Sequence, residues 1–148
     1  MDLSLVTETY GAEDQRWIGS AHGTTATRPI TLDSALFDSD DHKRHGWYPS
    51  GLPVGRVNGS GLYGPYDPDA DDGTEVLAGF LLTSVPGPKQ DGNPVGAALF
   101  EHGKVNTAAL PVELDSPSHA QRCVAGRIIF TDRRPLAPVE VNSGGGDD

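Results

Sequence analysis

Short apolar runs separated by glycine and proline dominate the hydrophobic pattern of this chain. The most apolar run covers 75–85, about the length of one buried strand, and we predict that it forms the centre of the core. Further strand-like runs cover 95–100 and 127–131, and the segment 29–33 alternates so that Ile30 and Leu32 lie on one side. This pattern predicts a mainly β domain.

Turn residues refine the prediction around these runs. The His102-Gly103 turn after the 95–100 strand indicates a hairpin with the residues that follow. The segment 49–57 predicts a short kinked strand, and its prolines favour a sheet edge or a bulge. A short turn or helix is expected over 34–37.

One helix is predicted towards the C-terminal end. Ser116 followed by Pro117 combines a capping side chain with proline at the first helical position, and Gly126 is a natural stop. Cys123 falls inside this helix. It is the single cysteine of the chain, so no internal disulfide forms, and we interpret it as a small half-buried apolar residue rather than a redox thiol.

The two ends of the chain differ from its centre. Residues 1–27 are polar, and their few large apolar side chains do not fall on one helical face, so we predict an extended arm. Residues 133–148 end in three glycines and two aspartates and are predicted to form a flexible acidic tail. The β-rich domain is expected over 28–132.

Composition and charge limit the classes of function. Glycine (19) and proline (12) are frequent enough among 148 residues to place much of the chain in turns and loops. A net charge of -10 opposes binding to nucleic acid. A run of about 18 apolar residues is missing, and the start of the chain lacks a basic signal region. We therefore expect a protein made in the cytoplasm that binds neither nucleic acid nor membranes.

An acidic turn over 67–75 comes closest to a metal site. Several carboxylates in a tight turn suit calcium, but Gly73 comes one residue late for an EF-hand, and Ala78 stands where the bidentate acid belongs. We interpret the segment as a solvated turn and predict no metal and no cofactor. A stand-alone carbohydrate- or calcium-binding β-module remains the alternative function, favoured by this turn together with exposed aromatic residues.

The polar residues predict no catalytic site. The segment 59–61 resembles part of a nucleophile elbow around Ser60, but Asn58 replaces the first glycine and no strand-to-helix turn is expected. His42 and His45 lie in a charged loop without a third ligand at a supporting spacing. The remaining histidines have no predicted serine or cysteine partner: His22, His102 and His119. We therefore expect a protein that is not an enzyme.

Aromatic residues are the main signal for binding. Tyrosine and tryptophan are enriched at interface hot spots, although each can instead fill a small core. We favour an interface role for Trp17 and leave both roles open for Trp47. The other candidates are Tyr10, Tyr48, Tyr63 and Tyr66.

Nine short motifs follow one another over most of the chain, roughly 2–130. They are YGAEDQRWIGSAHG at 10–23, ITLD at 30–33, PSG at 49–51, GLYGPY at 61–66, DGT at 72–74, AGFL at 78–81, VGAA at 95–98, HGKV at 102–105 and LP at 110–111. In this order and spacing the chain resembles the lambda-type head decoration proteins of tailed bacteriophages. The sequence departs from that pattern at 86–88 and after Phe130, so neither region takes a role from the resemblance.

The resemblance implies a domain of the β-clip type with one or two short helices and no catalysis. It also implies a homotrimer on the three-fold positions of an expanded head, outside the shell, with the major capsid protein as partner. The arm would add a strand to that protein, in which backbone hydrogen bonds give strength and side chains give register. The capsid-binding residues implied in the arm are Tyr10, Arg16, Trp17, Ile18 and His22.

Overall fold

A computed structural model describes residues 14–37, 42–43, 46–88, 90, 92–114 and 128–131. The fold is mainly β, as the hydrophobic pattern predicts, and within these described ranges the helical residues form only short 3-10 turns. Several predictions lie outside the described residues: the first part of the arm, 1–13, with Tyr10, the histidines His45 and His119, the helix beginning near Ser116 and the tail over 133–148.

The described residues contain nine strands: β1 (Arg28–Leu32), β2 (Trp47–Tyr48), β3 (Pro53–Arg56), β4 (Tyr63–Pro65), β5 (Gly79–Leu81), β6 (Val85–Pro86), β7 (Val95–Phe100), β8 (Gly103–Asn106) and β9 (Ile128–Thr131). Five of them close into a barrel in the order β1-β4-β3-β5-β7. Two separate two-stranded sheets join β2 to β6 and β8 to β9. Two 3-10 turns cover Ser34–Leu36 and Thr107–Ala109.

Strand β1 closes the barrel and follows the predicted alternation. Ile30 and Leu32 are buried while their neighbours in the strand are exposed, because successive side chains of a strand point to opposite faces. The strand pairs antiparallel with β7 along its whole length and parallel with β4 where Leu32 lies opposite Tyr63. The expected turn follows at once, and the side chain of Asp33 accepts a hydrogen bond from the N–H of Ala35 at 3.2 Å.

The apolar run over 75–85 lies in the core as predicted, but it is not one strand. It divides between β5 in the barrel and β6 in a separate sheet. Within β5 the alternation sends Phe80 into one apolar cluster and Leu81 into another, and their partners Phe100 and Leu99 on β7 divide in the same way. The sheet therefore separates two cores: a first core that contains Leu81 and Leu99, and a second core that contains Phe80 and Phe100.

The hairpin predicted for β8 is wrong, and of the two alternatives given for the segment 49–57 the sheet edge is excluded. Strand β8 does not form a hairpin with β7, because both edges of β7 are taken by β1 and β5; it pairs in parallel with β9 instead. Strand β3 is not an edge strand, since it pairs with both β4 and β5. Pro53 is tolerated there because it is the first residue of the strand, a position at which proline is accepted.

Candidate functional site

The N-terminal segment, defined here as residues 14–27, is attached to the domain along β8. Ile18 forms an antiparallel bridge with Val105. The N–H of Gly19 donates to the carbonyl of Lys104 at 2.9 Å, and the N–H of Asn106 donates to the carbonyl of Trp17 at 2.6 Å. The expected boundary at residue 27 therefore does not separate an arm from the domain, because this part of the chain already belongs to the fold.

Trp17 is a core residue, and the interpretation of it as an interface anchor is wrong. Its side chain is fully buried. The centroid of the indole ring lies 5.7 Å from the ring centroid of Phe80. It lies 5.2 Å from the ring centroid of Phe100, and these two rings meet edge-on. These distances are typical of favourable aromatic pairs. Among the described residues the indole of Trp17 is the largest fully buried side chain, and the N-terminal segment supplies it to the second core.

The other predicted arm residues of this segment divide between the domain and the solvent. Ile18 packs partly buried against the second core. Arg16 is exposed and forms a bidentate ion pair with Asp14, with N···O distances of 2.9 and 2.8 Å. The hydrogen bond from Arg16 lowers the pKa of the Asp14 carboxyl below its ordinary value. His22 is exposed and lies beside His102.

The four remaining aromatic candidates also separate by burial. Tyr48 is fully buried and Tyr63 is 5% exposed, and both belong to the first core. Tyr66 is partly buried against the second core. Trp47 is the exposed member of the group, with 40% of its surface accessible. Of the four, Trp47 is therefore the one that exposes a large aromatic side chain to solvent.

The acidic turn over 67–75 directs several of its carboxylates towards its own backbone. Asp72 accepts hydrogen bonds from the N–H and the hydroxyl of Thr74 at 3.0 and 2.6 Å. Glu75 accepts one from the N–H of Gly73 at 2.7 Å, and Asp67 accepts one from the N–H of Asp69 at 3.0 Å. The side-chain hydrogen bond from Thr74 is the main reason that the pKa of Asp72 lies below its ordinary value. These contacts shape the turn.

Ser60 and His42, which were considered for catalysis and metal binding, both make local contacts. Ser60 accepts a hydrogen bond from the N–H of Leu62 at 3.2 Å in an exposed turn, without the strand-to-helix geometry of a nucleophile elbow. His42 packs its ring edge-on against Phe37, and His45 lies outside the described residues. Among the residues that the structure describes, no group of three or more His, Cys, Asp or Glu side chains could hold a metal ion.

The geometry brings together two histidines whose contact the sequence pattern did not predict. His22 and His102 are 80 positions apart, and their Nε2 atoms lie 3.3 Å from each other. The local sequence pattern carries no signal for this contact, because the contact depends on the pairing of the N-terminal segment with β8. Both residues are followed by glycine, and this repetition is the one feature they share in the sequence.

The fold thus defines a small, mainly β protein built on a five-stranded barrel to which an N-terminal segment is fastened. Neither a family model nor a curated protein sequence matches this chain. The described part of the chain contains no helix that is long and apolar enough to span a membrane.

Proposed function

We propose that this chain is a virion structural protein that decorates the outer surface of a tailed-phage head. It binds as a homotrimer at the three-fold positions of the shell and contacts the major capsid protein. In this role it stabilises the expanded shell by clamping across subunit boundaries, without catalysing a reaction.

The observation that carries this proposal is the attachment of the N-terminal segment to the domain. Trp17 is buried in the second core, and the residues beside it pair with β8. This pairing fixes residues 17–19 on the domain, and residues 1–13 precede them in the chain. A tether of this kind supports an arm that binds a neighbouring protein, because a load on the arm is transmitted directly to the core.

Two of the motifs that carry the resemblance also lie next to each other in space. The leader motif at 10–23 contains Trp17 and Ile18, and the motif at 102–105 provides Val105, the bridge partner of Ile18. Motifs that are far apart in the chain thus serve one structural unit. Their contact supports the view that the motifs belong to one fold rather than being separate short similarities.

We therefore propose that residues 1–13 form the capsid-binding arm, rather than the whole of 1–27. Thirteen residues reach up to roughly 45 Å when fully extended, which is enough to cross onto an adjoining subunit. An extended arm can add a strand to a sheet edge of the capsid protein. In a trimer three arms act together, and each holds the others at a high effective concentration, so modest single contacts give tight attachment.

The decisive experiment compares the full chain with a variant that lacks residues 1–13, in a binding assay on expanded phage heads. We expect both proteins to fold and to have the mass of a trimer in solution. The truncated protein should lose most of its binding to the heads. A longer deletion through Gly23 is unsuitable, because it removes Trp17 and damages the core.

The control is the full chain with Thr25 replaced by alanine. This substitution shortens an exposed side chain of the N-terminal segment and keeps residues 1–13 in the protein. It should bind heads nearly as well as the unchanged protein. Unchanged binding of the truncated variant would disprove the arm mechanism, and a failure of the full chain to bind expanded heads would disprove the decoration role.

A further inference from the structure

Two His-Gly dipeptides that are far apart in the chain meet on the surface of the domain. The first is 22–23 in the N-terminal segment, and the second is 102–103 at the start of β8. Their imidazole Nε2 atoms are 3.3 Å apart, and the rings stand nearly perpendicular at an interplanar angle of 76°. Both histidine side chains are exposed, so an ion from solution can reach the two nitrogen atoms.

The backbone holds this pair in place. The antiparallel pairing around Ile18 and Val105 runs towards the two histidines from one side. The glycines then pack reciprocally: a side chain on Gly23 would collide with the carbonyl of His102, and one on Gly103 would collide with the carbonyl of His22. Both glycines have positive φ angles, 86° and 136°, which other residues rarely adopt. The two imidazoles are therefore held together before any ligand binds.

The spacing of the two nitrogen atoms suits a metal ion. Zinc binds histidine nitrogen at roughly 2.0–2.1 Å, and two ligands of a tetrahedral ion at that distance are about 3.3–3.4 Å apart. The observed 3.3 Å agrees with this value. The adjacent Glu101 carboxylate is already engaged, because Arg28 Nη2 lies 3.0 Å from its Oε2 atom. Water would therefore complete the coordination of an ion bound here.

We propose that His22 and His102 form a two-histidine site for a borderline divalent metal ion of the zinc, nickel and copper group. Imidazole is a preferred ligand for these ions. A bound ion would fasten the N-terminal segment to the start of β8, next to the bridge between Ile18 and Val105. It would stabilise the folded state by mass action. The site does not depend on the decoration role.

The first test is calorimetric titration of the untagged full chain with Zn²⁺, followed by thermal unfolding with and without the ion. We expect one ion per chain and a rise in Tm of roughly 5–10 °C at a hundredfold excess over the dissociation constant. His22→Gln and His102→Gln should each abolish both effects. A matched variant with His42→Gln and His45→Gln should keep them.

Three results would overturn the site. They are the absence of zinc binding to the unchanged chain, full binding by either single variant, and loss of binding in the matched control. If a single variant fails to fold, electron paramagnetic resonance of the unchanged chain with one equivalent of Cu²⁺ decides the question. Hyperfine coupling to two equivalent imidazole nitrogens is expected, and a spectrum with one nitrogen or none shows that the pair is only a hydrogen-bonded contact.

Discussion

The indole N–H of Trp17 donates a hydrogen bond to the hydroxyl of Ser50 at 3.0 Å, inside the second core. The same hydroxyl donates to the carbonyl of Leu82 at 2.6 Å. One small polar side chain thus connects the N-terminal segment, the loop after β2 and the chain after β5. Because the arm proposal depends on a firmly held Trp17, this connection is the first place to test it.

Replacing Ser50 with alanine should destabilise the domain by about 1–3 kcal/mol, because the buried Trp17 N–H loses its acceptor. Replacing Trp17 with alanine should cost more, about 3–5 kcal/mol, since it removes a large buried side chain. Urea unfolding followed by circular dichroism measures both values. The exposed Thr25→Ala variant is the control and should stay within about 0.5 kcal/mol of the unchanged protein. A Ser50→Ala variant as stable as this control would show that the hydrogen bond contributes nothing.

Gly55 on β3 should not tolerate a side chain. A methyl group at this position would lie 2.6 Å from the Cα atom and 2.8 Å from the carbonyl oxygen of Thr74, and backbone cannot move aside easily. We expect Gly55→Ala to lower the free energy of unfolding by about 1–3 kcal/mol.

Gly96 on β7 offers a matched control in the same barrel, since nothing lies within 4 Å of a methyl group placed there. Gly96→Ala should change stability by less than about 0.5 kcal/mol. Thermal unfolding of the two variants side by side measures the difference. Equal stability of the two would contradict the close approach of β3 to the segment around Thr74.

The pKa of Asp72 in the acidic turn should depend on the hydroxyl of Thr74. In Thr74→Val, Asp72 loses its hydroxyl donor, and the pKa of its carboxyl should rise towards the ordinary value. Carbon-13 NMR of the aspartate carboxyl groups measures this change directly. The exposed Thr31→Val variant on β1 is the control and should leave the pKa of Asp72 where it is.

The same substitution predicts the direction of a pH effect on stability. The pKa of Asp72 is lowered by folding, so its contribution is present above the unfolded value of about 3.9 and is lost as the pH falls through the lower folded value. The difference in unfolding free energy between the unchanged protein and Thr74→Val should therefore shrink between pH 7 and pH 2. A difference that grows towards acid would contradict the assignment.

The two tryptophans should differ in fluorescence. Trp17 is fully buried and Trp47 is 40% exposed, so acrylamide should quench them to different extents. Trp47→Phe should leave a single protected emission, and Trp17→Phe should leave an accessible one. If copies of the chain associate through Trp47, its quenching should decrease as protein concentration rises. Equal quenching of the two residues at low concentration would contradict the burial of Trp17.

Local patterns in the sequence were sufficient for the class of fold and for several of its details. The alternation over 29–33 placed Ile30 and Leu32 on the buried side of a strand, because strand side chains alternate whatever the strand pairs with. The short turn after Asp33 also followed from nearby residues. The acidic segment 67–75 was also expected to form a turn, and its carboxylates accept hydrogen bonds from the backbone of that turn.

Only the tertiary structure decided which segments meet. The edges of β7 were occupied by β1 and β5, so β8 paired elsewhere, and no feature of its own sequence records that competition. Trp17 lies in a polar segment, yet it enters the core because the second cluster has room for an indole and a hydroxyl to accept its N–H. His22 meets His102 for the same reason, as a result of pairing between segments about 80 residues apart. Strand alternation and turn chemistry are local properties that the sequence determines by itself, whereas free edges and space in the core exist only after the whole chain has folded.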